Sequence, residues 1–147
     1  MTKTNASNYK IVSGSWDELK LDAQMIRTRV FIQEQNIAAE DEWDEQDSIS
    51  LHFIVYDDHQ AIATARLLQN NSIGRVAVLS SHRGLGIGKL LMLEIIQVAK
   101  NQGRNQIHLS AQEHAIPFYN GLGFKQKGEF YLDCGIPHID MYLEGRS

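Results

Sequence analysis

Three glycines at alternate positions, Gly84, Gly86 and Gly88, separate an apolar segment from a second segment whose apolar residues have helical spacing. Glycine reaches positive φ and lets a ligand approach the backbone closely. The first amides of a helix are unpaired and carry partial positive charge, so such a turn can bind phosphate groups. Arg83 and Lys89 add positive charge. The pattern predicts a site for a phosphorylated ligand, with an ordinary tight turn as the alternative.

Three ligands suit such a turn. A dinucleotide site needs Gly-x-Gly-x-x-Gly near the start of the chain and an acidic residue at the end of the next strand, whereas these glycines have another spacing, lie late in the chain and are followed by a strand that no suitable acidic residue ends. A P-loop needs Ser or Thr directly after its lysine, whereas Leu90 follows Lys89. Coenzyme A is the third ligand.

Hydrophobic periodicity assigns the elements that must position this turn. A helix begins at the capping box of Ser15 and Glu18 and runs to about Glu34, and a second helix follows the glycines and ends at Gly103. A short helix covers residues 116–120. Strands are predicted at residues 9–13, 51–56, 61–68, 73–79, 107–111, 124–132 and 138–143.

This order of elements predicts an α/β (α+β) fold with a mixed, twisted sheet of six to seven strands and helices on its faces. The chain of 147 residues is 43% hydrophobic, which suits one core, so we expect residues 1–147 to form a single domain.

Two segments resemble motifs of the GNAT family of N-acetyltransferases. Residues 76–88 resemble its motif A, with Arg83, Gly86 and Gly88 filling the signature Arg/Gln-x-x-Gly-x-Gly/Ala, although Ser80 stands where the family often has proline. Residues 115–124, with their Phe-Tyr and Gly-Phe pairs, resemble motif B. Further elements resemble one bacterial subgroup whose substrates are poorly defined, so that the resemblance covers roughly residues 10–143.

The resemblance implies a GNAT fold in which two central parallel strands splay apart to hold acetyl-CoA. Backbone groups of the first strand would bind the pantetheine arm, and the Val78 N–H would polarise the thioester carbonyl. Amides of the glycine turn would bind the pyrophosphate. The implied cofactor-binding residues are Val76, Ala77, Val78, Arg83, Gly84, Leu85, Gly86, Ile87, Gly88 and Lys89.

The same resemblance implies direct acetyl transfer to a primary amine in a ternary complex, without a metal. Tyr119 would donate a proton to the departing thiolate, with a core aromatic as the alternative. A free alkylamine has a pKa of ~10.4, so a base or desolvation must help to neutralise it. Glu34 is the first choice of base, with Asp44 and His138 as alternatives.

Other polar residues have two interpretations. The acidic run at residues 40–47 either recognises a cationic substrate or forms a solvated loop around a partly buried Trp43. Arg27 either contacts substrate or pairs with that run, and His138 is a candidate substrate contact. His52 is expected to be a hydrogen-bonded core residue, and Cys134 is expected to have no catalytic role.

The net charge of −4 argues against a nucleic-acid partner. A single cysteine, a polar N-terminus and the lack of a long apolar stretch predict a cytoplasmic protein without membrane contacts. The expected acceptor is a small-molecule or peptide amine. Transfer of another acyl group, a CoA-binding sensor without turnover and a nucleotide-binding regulator remain alternatives, and a homodimer is left open.

Overall fold

The computed structural model describes residues 9–145, which form a seven-stranded sheet in the order β1-β2-β3-β4-β5-β7-β6. All neighbouring strands are antiparallel except β4 and β5. The predicted mixed α/β sheet is confirmed, with strand limits within two residues of those predicted. The strands are Tyr9–Gly14 (β1), Leu51–Asp57 (β2), Gln60–Leu67 (β3), Ser72–Val78 (β4), Gln106–Gln112 (β5), Lys125–Asp133 (β6) and Ile136–Glu144 (β7).

Four α-helices flank the sheet: Trp16–Arg27 (α1), Ala39–Glu42 (α2), Ile87–Asn101 (α3) and Ile116–Gly121 (α4). The first helix does end at Glu34, but its last part, Thr28–Glu34, is wound as a π-helix, a form that sequence periodicity does not reveal. The capping box at Ser15 is present, and Gly103 follows α3 with φ 75°.

The core lies on both faces of the sheet, because alternate residues of a strand point to opposite sides. Phe53 and Val55 pack with α3 residues such as Leu91, whereas Ile54 packs with α1 residues such as Ile26. These helices therefore cover opposite faces and fix the connection from β4 through the glycine turn to α3.

A β-bulge lies in β4. Gly74 faces Arg66 and Ala77 faces Thr64, so two residues of β4 oppose one residue of β3. Arg75, inside the bulge, has φ 54°, a conformation unusual for a residue with a side chain. The parallel pairing of β4 with β5 is limited to two residue pairs at Ser72 and Ile73, after which the strands part.

The acidic run is ordered by buried arginines. Arg27 on α1 is 1% exposed, and its Nε donates to Glu42 at 2.7 Å while its Nη1 donates to Asp47 at 2.8 Å. Its guanidinium also lies over the rings of Trp16 and Trp43, at 5.6 and 4.9 Å from their centroids. These contacts fasten the acidic run to the first helix.

Two further arginines join the same network from the sheet. Both Nη atoms of Arg66 on β3 donate to the Asp44 carboxylate, at 2.7 and 2.9 Å, and Nη1 also donates to Asp47 at 2.8 Å. Arg75 of the bulge lies 3.0 Å from Glu42 and 3.4 Å from Asp44. The run therefore forms two short helical turns around a network of three arginines and three carboxylates, rather than a solvated loop.

Replacing Arg27 by alanine removes a hydrogen-bond donor from each of two buried carboxylates, Glu42 and Asp47. We expect the free energy of unfolding to fall by about 3–5 kcal/mol, the usual cost of breaking a buried pair from one side. Urea denaturation of the R27A variant measures it. Arg29→Ala, which removes an exposed arginine two residues away, should change stability by less than about 0.5 kcal/mol. Equal effects of the two changes would contradict a stabilising network.

Candidate active site

A cavity of about 350 Å³ occupies the gap where β4 and β5 part. Its walls come from the end of the first helix, from the acidic run, from β4 and β5, from α4 and from the β6–β7 turn. Residues from distant parts of the sequence thus meet around one space, among them Phe31, Glu42, Val76, Ser110, Tyr119 and His138.

The glycine turn leads from β4 into α3. Gly84 and Gly86 have φ of 79° and 82°, and Gly86 is the N-cap residue of α3. A Cβ at either position would meet nothing within 4 Å, so the backbone conformation, and not packing, favours glycine there. Gly86 offers no capping side chain, so the first amides of α3 stay available for an anion.

Two contacts hold this turn in place, and neither follows from sequence spacing. The ring of His82 lies 2.9 Å from Asp57 at the end of β2 and 2.7 Å from the Ser81 hydroxyl. On the other side, a Cβ at Gly88 would lie 3.5 Å from the ring of Phe118 on α4, so the small residue allows the two helices to approach.

Arg83 is paired with Glu34 rather than left free. Its guanidinium binds both carboxylate oxygens of Glu34, with one contact of 2.8 Å, and its Nε donates to the Val78 carbonyl at 2.9 Å. The hydrogen bond from Arg83 lowers the pKa of Glu34. Glu34 does not line the cavity, so the preferred base of the sequence prediction is held away from it.

Tyr119 lines the cavity and is 9% exposed. Its ring packs edge-on against Phe118 and Phe124, with centroids 5.0 and 5.9 Å apart. Within residues 9–145 its hydroxyl has no side-chain or backbone hydrogen-bond partner. Burial raises the pKa of Tyr119 to about 12, so the phenol keeps its proton at neutral pH and can donate it.

His138 lies in the same cavity and is 8% exposed. Its Nδ1 lies 2.7 Å from the Ile136 carbonyl, which can only accept, so Nδ1 carries the proton. The ring also stacks on Tyr131, with centroids 6.2 Å apart. The Nε2 atom has no hydrogen-bond partner in the described part of the chain.

Comparisons with known proteins place this arrangement in a family. The sequence matches the acetyltransferase (GNAT) domain over residues 20–144. The chain belongs to the GNAT family. It is 36% identical over 135 residues to the uncharacterized N-acetyltransferase YjcF of Bacillus subtilis, an alignment that covers 89% of this chain and 96% of the relative.

Solved structures with the GNAT fold are also similar to this chain. An acyl-CoA N-acyltransferase from Pseudomonas aeruginosa is 32% identical with a TM-score of 0.82, and the match covers 92% of this chain and 99% of that one. ElaA of Escherichia coli is 28% identical with a TM-score of 0.84 over the same shares. Membership of the GNAT family supports acyl-CoA-dependent acyltransferase activity.

Two predicted site residues of this GNAT chain lie elsewhere. Arg27 is buried in the ion-pair network and does not line the cavity, which favours the second of its two interpretations, a structural pairing with the acidic run. Asp44 also lies outside the cavity, and the hydrogen bond from Arg66 lowers its pKa to about 2, which makes it a poor base. His52 is a core histidine, as predicted, with Nε2 2.8 Å from the Asp47 carbonyl.

Sequence reasoning missed one contact across the cavity. Gln35, directly after the π-helical segment, accepts a hydrogen bond from Gln112 at the end of β5 at 3.0 Å, and both residues line the cavity. The π-helical winding sets where Gln35 lies, and no local sequence signal reports such winding.

In residues 9–145 no helix is long and apolar enough to cross a membrane.

Because no group in residues 9–145 hydrogen-bonds the Tyr119 hydroxyl, which lies in the cavity, Tyr119→Phe should change the free energy of unfolding by less than about 0.5 kcal/mol. Tyr56→Phe is the matched control, since the Tyr56 hydroxyl donates to Asp22 at 2.5 Å. That variant should lose about 1 kcal/mol. Urea titration measures both, and a clear loss of stability in Y119F would show that its hydroxyl has a partner.

Proposed function

We propose that this protein transfers the acetyl group of acetyl-CoA to a primary amine by direct attack in a ternary complex. The observation that carries the proposal is the cavity between the parted strands, which Tyr119 and His138 both line. The Tyr119 hydroxyl and the His138 Nε2 have no hydrogen-bond partner within the described residues, so both are available to a ligand in the cavity. The lone cysteine further supports a cytoplasmic setting.

The binding role of β4 follows from its free edge. Beyond Ile73 the backbone groups of β4 that face β5 have no strand partner, so Val76, Ala77 and Val78 can pair with the pantetheine arm of acetyl-CoA. The amides from Arg83 to Lys89, at the start of α3, bind the pyrophosphate in this proposal. When CoA binds, the Arg83 guanidinium must then either leave Glu34 and bind a phosphate group, or remain paired with Glu34 beside the site.

The chemistry needs one proton acceptor and one proton donor. His138 takes a proton from the acceptor ammonium through Nε2, and the neutral amine attacks the thioester carbon. The C–N bond forms, and the Tyr119 hydroxyl gives its proton to the thiolate as the C–S bond breaks. The attacking nitrogen then loses its second proton, which restores the Tyr119 hydroxyl and leaves the neutral amide. The Val78 N–H stabilises the negative charge on the carbonyl oxygen. Holding both substrates in one cavity lowers the entropic cost of the step.

We assign the base to His138 in place of Glu34. Glu34 is half exposed, lies outside the cavity and shares both oxygens with Arg83. A carboxylate whose pKa is lowered by a guanidinium is a weak proton acceptor. His138, in contrast, lines the cavity that Tyr119 lines, and its Nε2 has no hydrogen-bond partner within residues 9–145.

Tyr119→Phe tests the proposed acid. Loss of a positioned acid should lower kcat by about 10²-fold or more and leave the affinity for acetyl-CoA unchanged, because the phenyl ring keeps its packing. Thiol release from acetyl-CoA with a panel of amines measures kcat, and calorimetry measures binding. CoA binding without thiol release over the whole panel in the wild type would favour a sensor, and unchanged kcat in Y119F would refute the acid.

His138→Gln and Glu34→Gln separate the two candidate bases. H138Q should lose about 10²-fold in kcat/KM, because it lacks the proposed proton acceptor. E34Q should keep kcat/KM within a few-fold of the wild-type value. If E34Q is inactive and H138Q is not, the assignment is wrong.

A further inference from the structure

The charges around the cavity are unbalanced. Five charged side chains among residues 9–145 line it, of which Arg66, Arg75 and Glu42 belong to the ion-pair network and are neutralised there. The other two are Asp41 on α2 and Asp133 at the end of β6. Neither carboxylate pairs with a cation in residues 9–145.

These two carboxylates come from distant parts of the sequence and converge on one edge of the cavity. Both are exposed, and both lie near the exposed thiol of Cys134, whose pKa is raised first by desolvation and then by the charges of Asp133 and Asp41. The edge formed by Asp41 and Asp133 is therefore a negatively charged entrance, open to solvent.

The buried end of the same cavity carries the polar groups without partners. Tyr119 and His138 are each more than nine-tenths buried, and both line the space that Asp41 and Asp133 open to solvent. A ligand that fills the cavity thus meets a proton donor and a proton acceptor inside and two carboxylates at the entrance.

We infer that the acceptor is a dication of the diamine or polyamine class. One amino group reaches Tyr119 and His138 and is acetylated, while a second ammonium binds the carboxylates of Asp41 and Asp133. This inference rests on the proposed function and names its substrate class. Two carboxylates around one ammonium give charge-assisted hydrogen bonds, which are stronger than bonds between neutral groups.

Other acceptor classes fit the same surroundings poorly. A carboxylate on the acceptor would meet the like charges of Asp41 and Asp133, and the arginines that could bind it are already engaged by Glu42, Asp44 and Asp47. A neutral tail would gain nothing from the entrance. Amino acids and simple alkylamines are therefore expected to bind more weakly.

Calorimetry on the full-length protein with CoA present tests the inference. The probes are 1,4-diaminobutane, 1-aminobutane and 4-aminobutanoate, which share one chain length and differ in the charge of the far end, with diamines of three to six carbons alongside. The best diamine should bind about tenfold more tightly than its monoamine, and added salt should weaken that preference.

The D41N/D133N double variant should lose the preference for the diamine, whereas Glu129→Gln, an exposed change on the same hairpin, should keep it. Equal binding of the three probes, no binding of any diamine, or an unchanged preference in the double variant would overturn the inference. Thiol release from acetyl-CoA is read separately: diamine binding without any acetyl transfer would refute the proposed function and leave this assignment of the entrance standing.

Discussion

The strands β4 and β5 share only two residue pairs before they part, and the rest of the site depends on that separation. A bulge at Arg75 turns β4 away, and β5 instead keeps its pairing with β7 along its full length. The parted strands leave a row of backbone groups on β4 and a cavity beside them. The glycine turn follows β4 directly, so one strand positions both ends of the proposed acyl-CoA site.

The acidic run explains how the bulge is held. Arg27, Arg66 and Arg75 reach it from the first helix, from β3 and from the bulge itself, and they neutralise Glu42, Asp44 and Asp47. Buried ion pairs add little net stability compared with apolar packing, but they fix geometry because a misplaced partner leaves a buried charge unpaired. The network thereby fixes the wall of the cavity and leaves Asp41 with its charge exposed at the entrance.

Much of this fold could be predicted because its signals are local. The signals that predicted it, which are strand alternation, the capping box at Ser15 and the glycines after β4, each act over a few residues. The resemblance to the GNAT family identified Tyr119 as the candidate acid. The rest depends on contacts between distant residues. The pairing of Glu34 with Arg83, the burial of Arg27, and the proton on His138 Nδ1 each follow from a partner that sequence spacing does not identify, and the π-helical segment before Gln35 has no local signature.

Amide hydrogen exchange with and without CoA tests the central claim most directly, because it reports on individual backbone groups. Binding along the parted strand predicts slower exchange at the amides of residues 76–78 and 84–88 when CoA is added, with little change in β1 or β6. Unchanged exchange in both segments at saturating CoA, or protection confined to another part of the sheet, would contradict the account.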